Sequence, residues 1–227
     1  MKNLSVLRNF FNLSQSELGN KLLLEKDTIA RYEVGKLKPS FKTLKNFVAF
    51  YEISFDFLLL NIDCTYPKNL KLLRLAKKLD ELYKSESRNT IESSAKSLLG
   101  DNFNSNILIK NDDLITIDIT DSFHLNLKKL RNFKNINQVE LAEKLNISRS
   151  GYSQYEVKNY PPIEKLIKLS EFLNISIHAL ATGEKLSFNF TDGYFGKTMF
   201  LADQLLTLEQ QKILITLMEA IIKNSSS

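Results

Sequence analysis

The sequence has one cysteine, no tryptophan, two histidines, seven glycines and four prolines among its 227 residues. A lone cysteine, Cys64, excludes an internal disulfide and a thiolate-rich metal centre. It reads as a small, partly buried hydrophobe. The two histidines, His124 and His178, have no cysteine beside them and assemble no metal cluster or nucleophile pair. No glycine-rich phosphate loop is present, and the adjacent carboxylates Asp112 and Asp113 fall in a turn-like stretch. No catalytic residue, metal or cofactor is therefore expected, and the chain does not read as an enzyme. No apolar run approaches the ~18–20 residues that span a bilayer. The opening MKNLSVLRNFFNLSQS has no signal-peptide core or cleavage site, so a cytoplasmic protein with no membrane partner is expected. Scarce glycine and proline suit a mainly helical chain.

What is present is charge in blocks. The formal net charge is +5. Residues 1–60 carry net +3 and residues 124–183 net +4, while 61–123 and 184–227 carry net −1 each. Basic blocks point to a polyanionic partner.

The blocks repeat. Leu7-Arg8-Asn9-Phe10 recurs 123 positions later as Leu130-Arg131-Asn132-Phe133. The same offset joins Gln15 to Gln138, Leu18 to Leu141, and Tyr32-Glu33-Val34 to Tyr155-Glu156-Val157. One residue is then lost, and an offset of 122 joins Pro39 to Pro161, Leu44 to Leu166 and Ile53-Ser54 to Ile175-Ser176. A fainter echo, Leu82 with Leu205 and Ile91 with Leu214, continues at 123.

Caps and periodicity place the helices. Ser14 with Glu17, and Asn137 with Glu140, are capping-box pairs opening helices with apolar residues four apart, Leu18 and Leu22 or Leu141 and Leu145. Further helices are expected over 26–34 and 149–157, after Pro39 and Pro161, and from Ser54 and Ser176. Residues 67–99 and 197–223 each read as a helical pair, the second with a capping box from Thr207 to Gln210. Alternating β-branched residues over 106–120 argue for a small hairpin, and 186–190 for a short strand.

The stretch QVELAEKLNISRSGYSQYE, residues 138–156, resembles the lambda-repressor/Cro helix-turn-helix pattern at Gln138, Leu141, Ala142, Ile147, Ser148, Ser153 and Glu156. Asn146 stands at the turn, where asparagine tolerates a left-handed backbone. QSELGNKLLLEKDTIARYE, residues 15–33, is similar at Gln15, Leu18, Gly19, Leu24, Ile29 and Glu33, with Leu23 at the turn and Glu25 in place of the serine. The resemblance covers about 120 residues in two blocks. It implies a mainly α fold: two lambda-repressor-like five-helix DNA-binding domains, 1–60 and 124–183. These are joined by a helical linker, 61–105, and a hairpin linker, 106–120, with a strand and helical pair over 184–227. It also implies that double-stranded DNA is the partner, and that the helix from Ser148 enters the major groove. Ser148 would then contact the DNA at the start of that helix, and Arg149, Ser150 and Gln154 would meet bases, Arg pairing with guanine and Gln with adenine. Gln138 would contact phosphate. The matching set in the first copy is Gln15, Lys26, Asp27, Thr28 and Arg31. Glu33 and Glu156 read as internal hydrogen-bonding residues.

The expected function is a sequence-specific transcriptional regulator, a repressor of phage or mobile-element type, reading paired half-sites as a homodimer or an intrachain pseudo-dimer. In the second arrangement the helical pairs 67–99 and 197–223 pack together about a pseudo-two-fold axis. The alternative is a protein-interaction or antitoxin-like regulator whose first domain, with Glu25 and Asp27 on its recognition helix, is degenerate and serves dimerisation or partner binding.

Overall fold

A computed structural model describes residues 1–60, 67–81, 85–104, 120–184, 186 and 193–225. Among these are fourteen α-helices, no β-strand, and a single antiparallel bridge between Ile53 and Asn69. The hairpin expected over 106–120 lies outside the described residues except for Thr120, and the strand expected over 186–190 except for Leu186. No described helix is long and apolar enough to cross a membrane.

The helices fall into two compact units. One holds α1 (Lys2–Phe10), α2 (Gln15–Leu22), α3 (Lys26–Glu33), α4 (Phe41–Tyr51) and α5 (Phe55–Leu60), with α8 (Phe123–Phe133), α9 (Gln138–Leu145), α10 (Arg149–Tyr155), α11 (Ile163–Leu173) and α12 (Ile177–Thr182). These are two five-helix copies. The other unit holds α6 (Leu70–Glu81), α7 (Ser85–Leu99), α13 (Gly193–Leu205) and α14 (Leu208–Ser225). Helices α6 and α7, from the stretch expected as a helical linker, thus belong to this second unit.

In the ten-helix unit, local chemistry sets the helix starts. Ser14 accepts the Glu17 N–H at 3.1 Å while Glu17 accepts the Ser14 N–H at 2.7 Å, the reciprocal box read from sequence. Asn137 caps α9 by accepting from Glu140 N, and Ser176 caps α12 by accepting from Ala179 N. Turns need a left-handed residue at three equivalent places in each copy. The second copy uses Asn135, Asn146 and Asn174, with φ of 50–54°. The first uses Asn12, but then Leu23 and Glu52, at φ 56° and 51°. The apolar stripes close each core at matching positions: Leu4, Leu7, Leu18 and Leu44 in one copy, Leu127, Leu130, Leu141 and Leu166 in the other, all essentially inaccessible. Burial of each such side chain stabilises the fold by roughly 1.5–3 kcal/mol.

The two copies pack on each other through equivalent segments. The Phe41 ring stacks on Tyr160, centroids 4.1 Å apart and 9° from parallel. Lys38 pairs with Glu164. Asp56, fully buried on α5, accepts the N–H groups of Ile177 at 2.9 Å and His178 at 3.0 Å, so one copy caps a helix of the other. A carboxylate there faces the positive end of α12.

In the four-helix unit the chain pairs crosswise. Among the described residues α6 packs mainly on α14 and α7 mainly on α13, while α6 and α7, neighbours in sequence, touch lightly. Asp203, buried on α13, accepts the N–H groups of Lys68 and Asn69 at 2.9 and 2.8 Å, fixing the approach to α6, which Asn69 caps by accepting from Leu72 N at 3.1 Å. Burial raises its carboxyl to about 6 against the pull of those bonds. Thr207 and Gln210 form the expected box at the head of α14.

Candidate nucleic-acid interface

Each copy presents a helix, a tight turn and a second helix: α2 to α3, and α9 to α10. The turn closes the same way in both. Leu24 N donates to Gly19 O at 2.9 Å, and Ile147 N to Ala142 O at 3.0 Å. Leu23 and Asn146 hold the left-handed position, and the Leu23 side chain is 93% exposed. Gly19 is where the first copy tightens. A Cβ at that position would stand 2.4 Å from the Leu24 carbonyl oxygen, so the glycine admits the close approach.

A buried polar network fixes the angle between these helices. In the first copy Arg8 Nε donates to Glu33 Oε1 at 2.7 Å and Arg8 Nη1 to Leu13 O at 2.7 Å. Gln15 Nε2 donates to Glu33 Oε2 at 2.9 Å. The second copy repeats it. Arg131 Nε donates to Glu156 Oε1 at 2.5 Å, Arg131 Nη1 to Ile136 O at 2.9 Å, and Gln138 Nε2 to Glu156 Oε2 at 2.9 Å. Tyr152 adds a hydroxyl donating to Glu156 Oε1 at 2.9 Å. Hydrogen bonding to the glutamates raises both arginines above their ordinary values. Burial pushes the Glu156 carboxyl up, but the bonds from Arg131, Gln138 and Tyr152 outweigh it and hold Glu156 below the usual carboxylate value. Burial raises the Tyr152 hydroxyl, which stays a donor.

Glu33 and Glu156 are thus internal, as their sequence context suggests. Arg8 and Arg131 are the residues that sequence reasoning passed over. The signal was there: both stand 25 positions before the glutamate they bind, in segments that repeat.

The sequence-predicted site residues divide into exposed and engaged groups. Lys26, Asp27 and Arg31 on α3, and Arg149 and Ser150 on α10, are exposed; Thr28 and Gln154 are half-buried. Arg149 shares a shallow open depression with Arg131, Asn137, Gln138 and Val139, so the starts of α9 and α10 converge there. Gln15 and Gln138, expected at phosphate, have their amide N–H groups turned to the internal glutamates. Ser148 serves as the cap of α10, accepting from Gly151 N at 3.0 Å, and its hydroxyl meets that of Ser150. The equivalent Glu25 gives α3 no side-chain cap. Among the described residues no group of histidine, cysteine and carboxylate side chains is arranged to hold a metal ion.

A helix-turn-helix family model matches the chain twice, over residues 7–58 and 127–180, which takes in both of these motifs. The HTH-type transcriptional activator BcrR of Enterococcus faecalis is 42% identical over 65 residues, 28% of this chain and 32% of that protein. The HTH-type transcriptional regulator YqaE of Bacillus subtilis strain 168 is 39% identical over 71 residues, 31% of this chain and 61% of its own length. The SPbeta prophage-derived regulator YonR of the same strain is 37% identical over 67 residues, 29% of this chain and 62% of its own length. The chain thus spans under two thirds of each of these relatives. No solved structure matches.

Proposed function

Carrying two helix-turn-helix domains of the lambda-repressor/Cro type in tandem, the chain is, we propose, a sequence-specific DNA-binding transcriptional regulator that reads paired half-sites. The observation that carries this reading is the duplicated Arg–Glu–Gln network. It braces two helix pairs in the same way and leaves Arg149 on one, and Lys26 and Arg31 on the other, exposed. An α-helix fits the major groove, where its exposed side chains meet base edges. In this reading Arg149 takes guanine, Gln154 takes adenine, and Ser150 meets the base edges beside them. Lys26, Asp27, Thr28 and Arg31 do the corresponding work on α3. Gln15 and Gln138 act through the glutamates they hold, setting the pose of the helices. A cytoplasmic repressor from a phage or mobile element fits the prophage-derived relative, whereas the relative from Enterococcus faecalis is named an activator; reporter fusions to the bound promoter decide the sign.

A second reading follows from the exposed carboxylates Glu25 and Asp27 at the start of α3. There the first copy is an interaction or antitoxin-like module and only α10 reads DNA.

The test is binding of the full chain to genomic and random duplexes across salt concentrations. A steep fall of log affinity with log salt reports phosphate neutralisation. Arg149→Ala and Gln154→Ala should each lose about 1–3 kcal/mol on the preferred site and relax one base position. A flat salt response, or footprints unchanged in both variants, would overturn the assignment.

A further inference from the structure

In a two-fold dimer of identical subunits, a contact from one surface to another recurs with the roles exchanged, so the interface is self-complementary. This chain makes such contacts with itself. Segment 38–42 of the first copy meets 160–164 of the second, and these are the same segment at an offset of 122. Helix α5 meets α12, its own equivalent, with Asp56 bonding the positions equivalent to 55 and 56. In the four-helix unit the offset of 123 maps α6 onto α13 and α7 onto α14. The pairing of α6 with α14 therefore becomes the pairing of α13 with α7, and both are made. Buried positions there match at Leu72 with Phe195, Ala76 with Met199, Ile91 with Leu214 and Ala95 with Met218, while α13 also buries Phe200 and Leu201 where α6 carries Lys77 and Lys78. The surfaces through which a one-copy protein would recruit a second molecule are occupied by the chain's other half.

We infer that one chain, with no second copy, is the complete reader, and that its ligand is a duplex with two unlike half-sites. This rests on the DNA-binding reading above. The halves differ because the readers differ. Lys26, Asp27 and Arg31 stand where Arg149, Ser150 and Gln154 stand in the second copy. Asp27 has a role in this arrangement: a carboxylate accepts from the cytosine amino group, whereas Gln154 pairs with adenine. The exposed acid on α3 then selects a base in the half-site that α10 does not read.

The experiment selects preferred duplexes from a random pool with the full chain and weighs the complexes in solution. One chain per duplex on a non-palindromic site, with half-site centres about one turn apart, is the expected result. The variant carrying Lys26→Arg, Asp27→Ser and Arg31→Gln changes only exposed residues and gives α3 the α10 reading set. Selection with it should move to a palindromic site, and its affinity for the original site should fall roughly 5- to 150-fold. Two chains per duplex, a palindromic site for the unmodified chain, or an unchanged site for the variant overturns the inference while leaving DNA binding intact. Failure of the unmodified chain to bind any duplex overturns both readings.

Discussion

Leu23 is the residue at which the first copy departs furthest from its own template. It occupies a left-handed conformation at φ 56° with 93% of its surface in solvent, where Asn146 stands in the second copy. A Cβ in that region costs roughly 1–2 kcal/mol, and asparagine tolerates it better. Leu23→Asn should therefore stabilise the chain by about 1 kcal/mol in urea unfolding; a lower midpoint would mean that the leucine makes a contact worth more than the strain. Glu156 sets a pH dependence at the same scale. Its folded value lies below the unfolded one, so its contribution is present above the unfolded carboxyl value and is lost as pH falls through the folded value. Glu156→Gln should flatten that acid branch. It should also destabilise at neutral pH by about 3 kcal/mol, because Arg131 keeps a largely buried charge without its partner. An unaltered acid branch in the variant would remove Glu156 from the account.

At the scale of elements, the second helices of the two motifs, α3 and α10, differ in how they begin. Ser148 caps α10, while Glu25 leaves α3 uncapped by any side chain. Glu25→Ser should add about 1 kcal/mol of stability. If α3 lies against phosphate, it should also tighten DNA affinity and steepen its salt dependence by removing a repelling charge. Stabilisation without any change in DNA affinity would place the start of α3 away from the duplex. The elements themselves were legible in the sequence. Ser14 with Glu17 and Thr207 with Gln210 announced helix starts because a box satisfies backbone donors using only residues three apart. Helices α3 and α10 were placed by their motif. The motif did not announce that Ser148 also caps its own helix or that Gln138 bonds Glu156, since a motif position does not say which of its own neighbours a side chain meets. Only the fold brings Glu156 to the Gln138 amide, 18 residues away in sequence.

For the whole molecule, the repeat predicted two copies, and its weak continuation predicted that the helical pairs meet. It did not predict that they cross. An amphipathic face says that a helix is buried, not against which partner, and the exchange of Ala76 for Met199 or Ala95 for Met218 hides equivalence behind size. The seam between the five-helix copies was likewise silent, because Phe41 and Tyr160 occupy inequivalent positions in the alignment. Phe41→Ala should cost about 3–4 kcal/mol, as for other buried phenylalanines. It should also lower the cooperativity of unfolding in the ten-helix unit. A single transition of unchanged steepness and midpoint would mean that the copies hold together without that stack.

The crosswise pairing of α6 with α14 also governs how the protein is made. Lys68 finds Asp203 135 residues later in the chain, and Asn69 finds Gln211 142 residues later. At ribosomal speeds of about 5–20 residues per second, α6 and α7 wait on the order of ten seconds before α13 and α14 leave the exit tunnel. Through that interval their apolar faces are bare. Two neighbouring nascent chains on one message each hold the same unpaired helices, and those helices are built to accept an equivalent from another copy. The chain's own second half therefore has to reach these helices before another copy does.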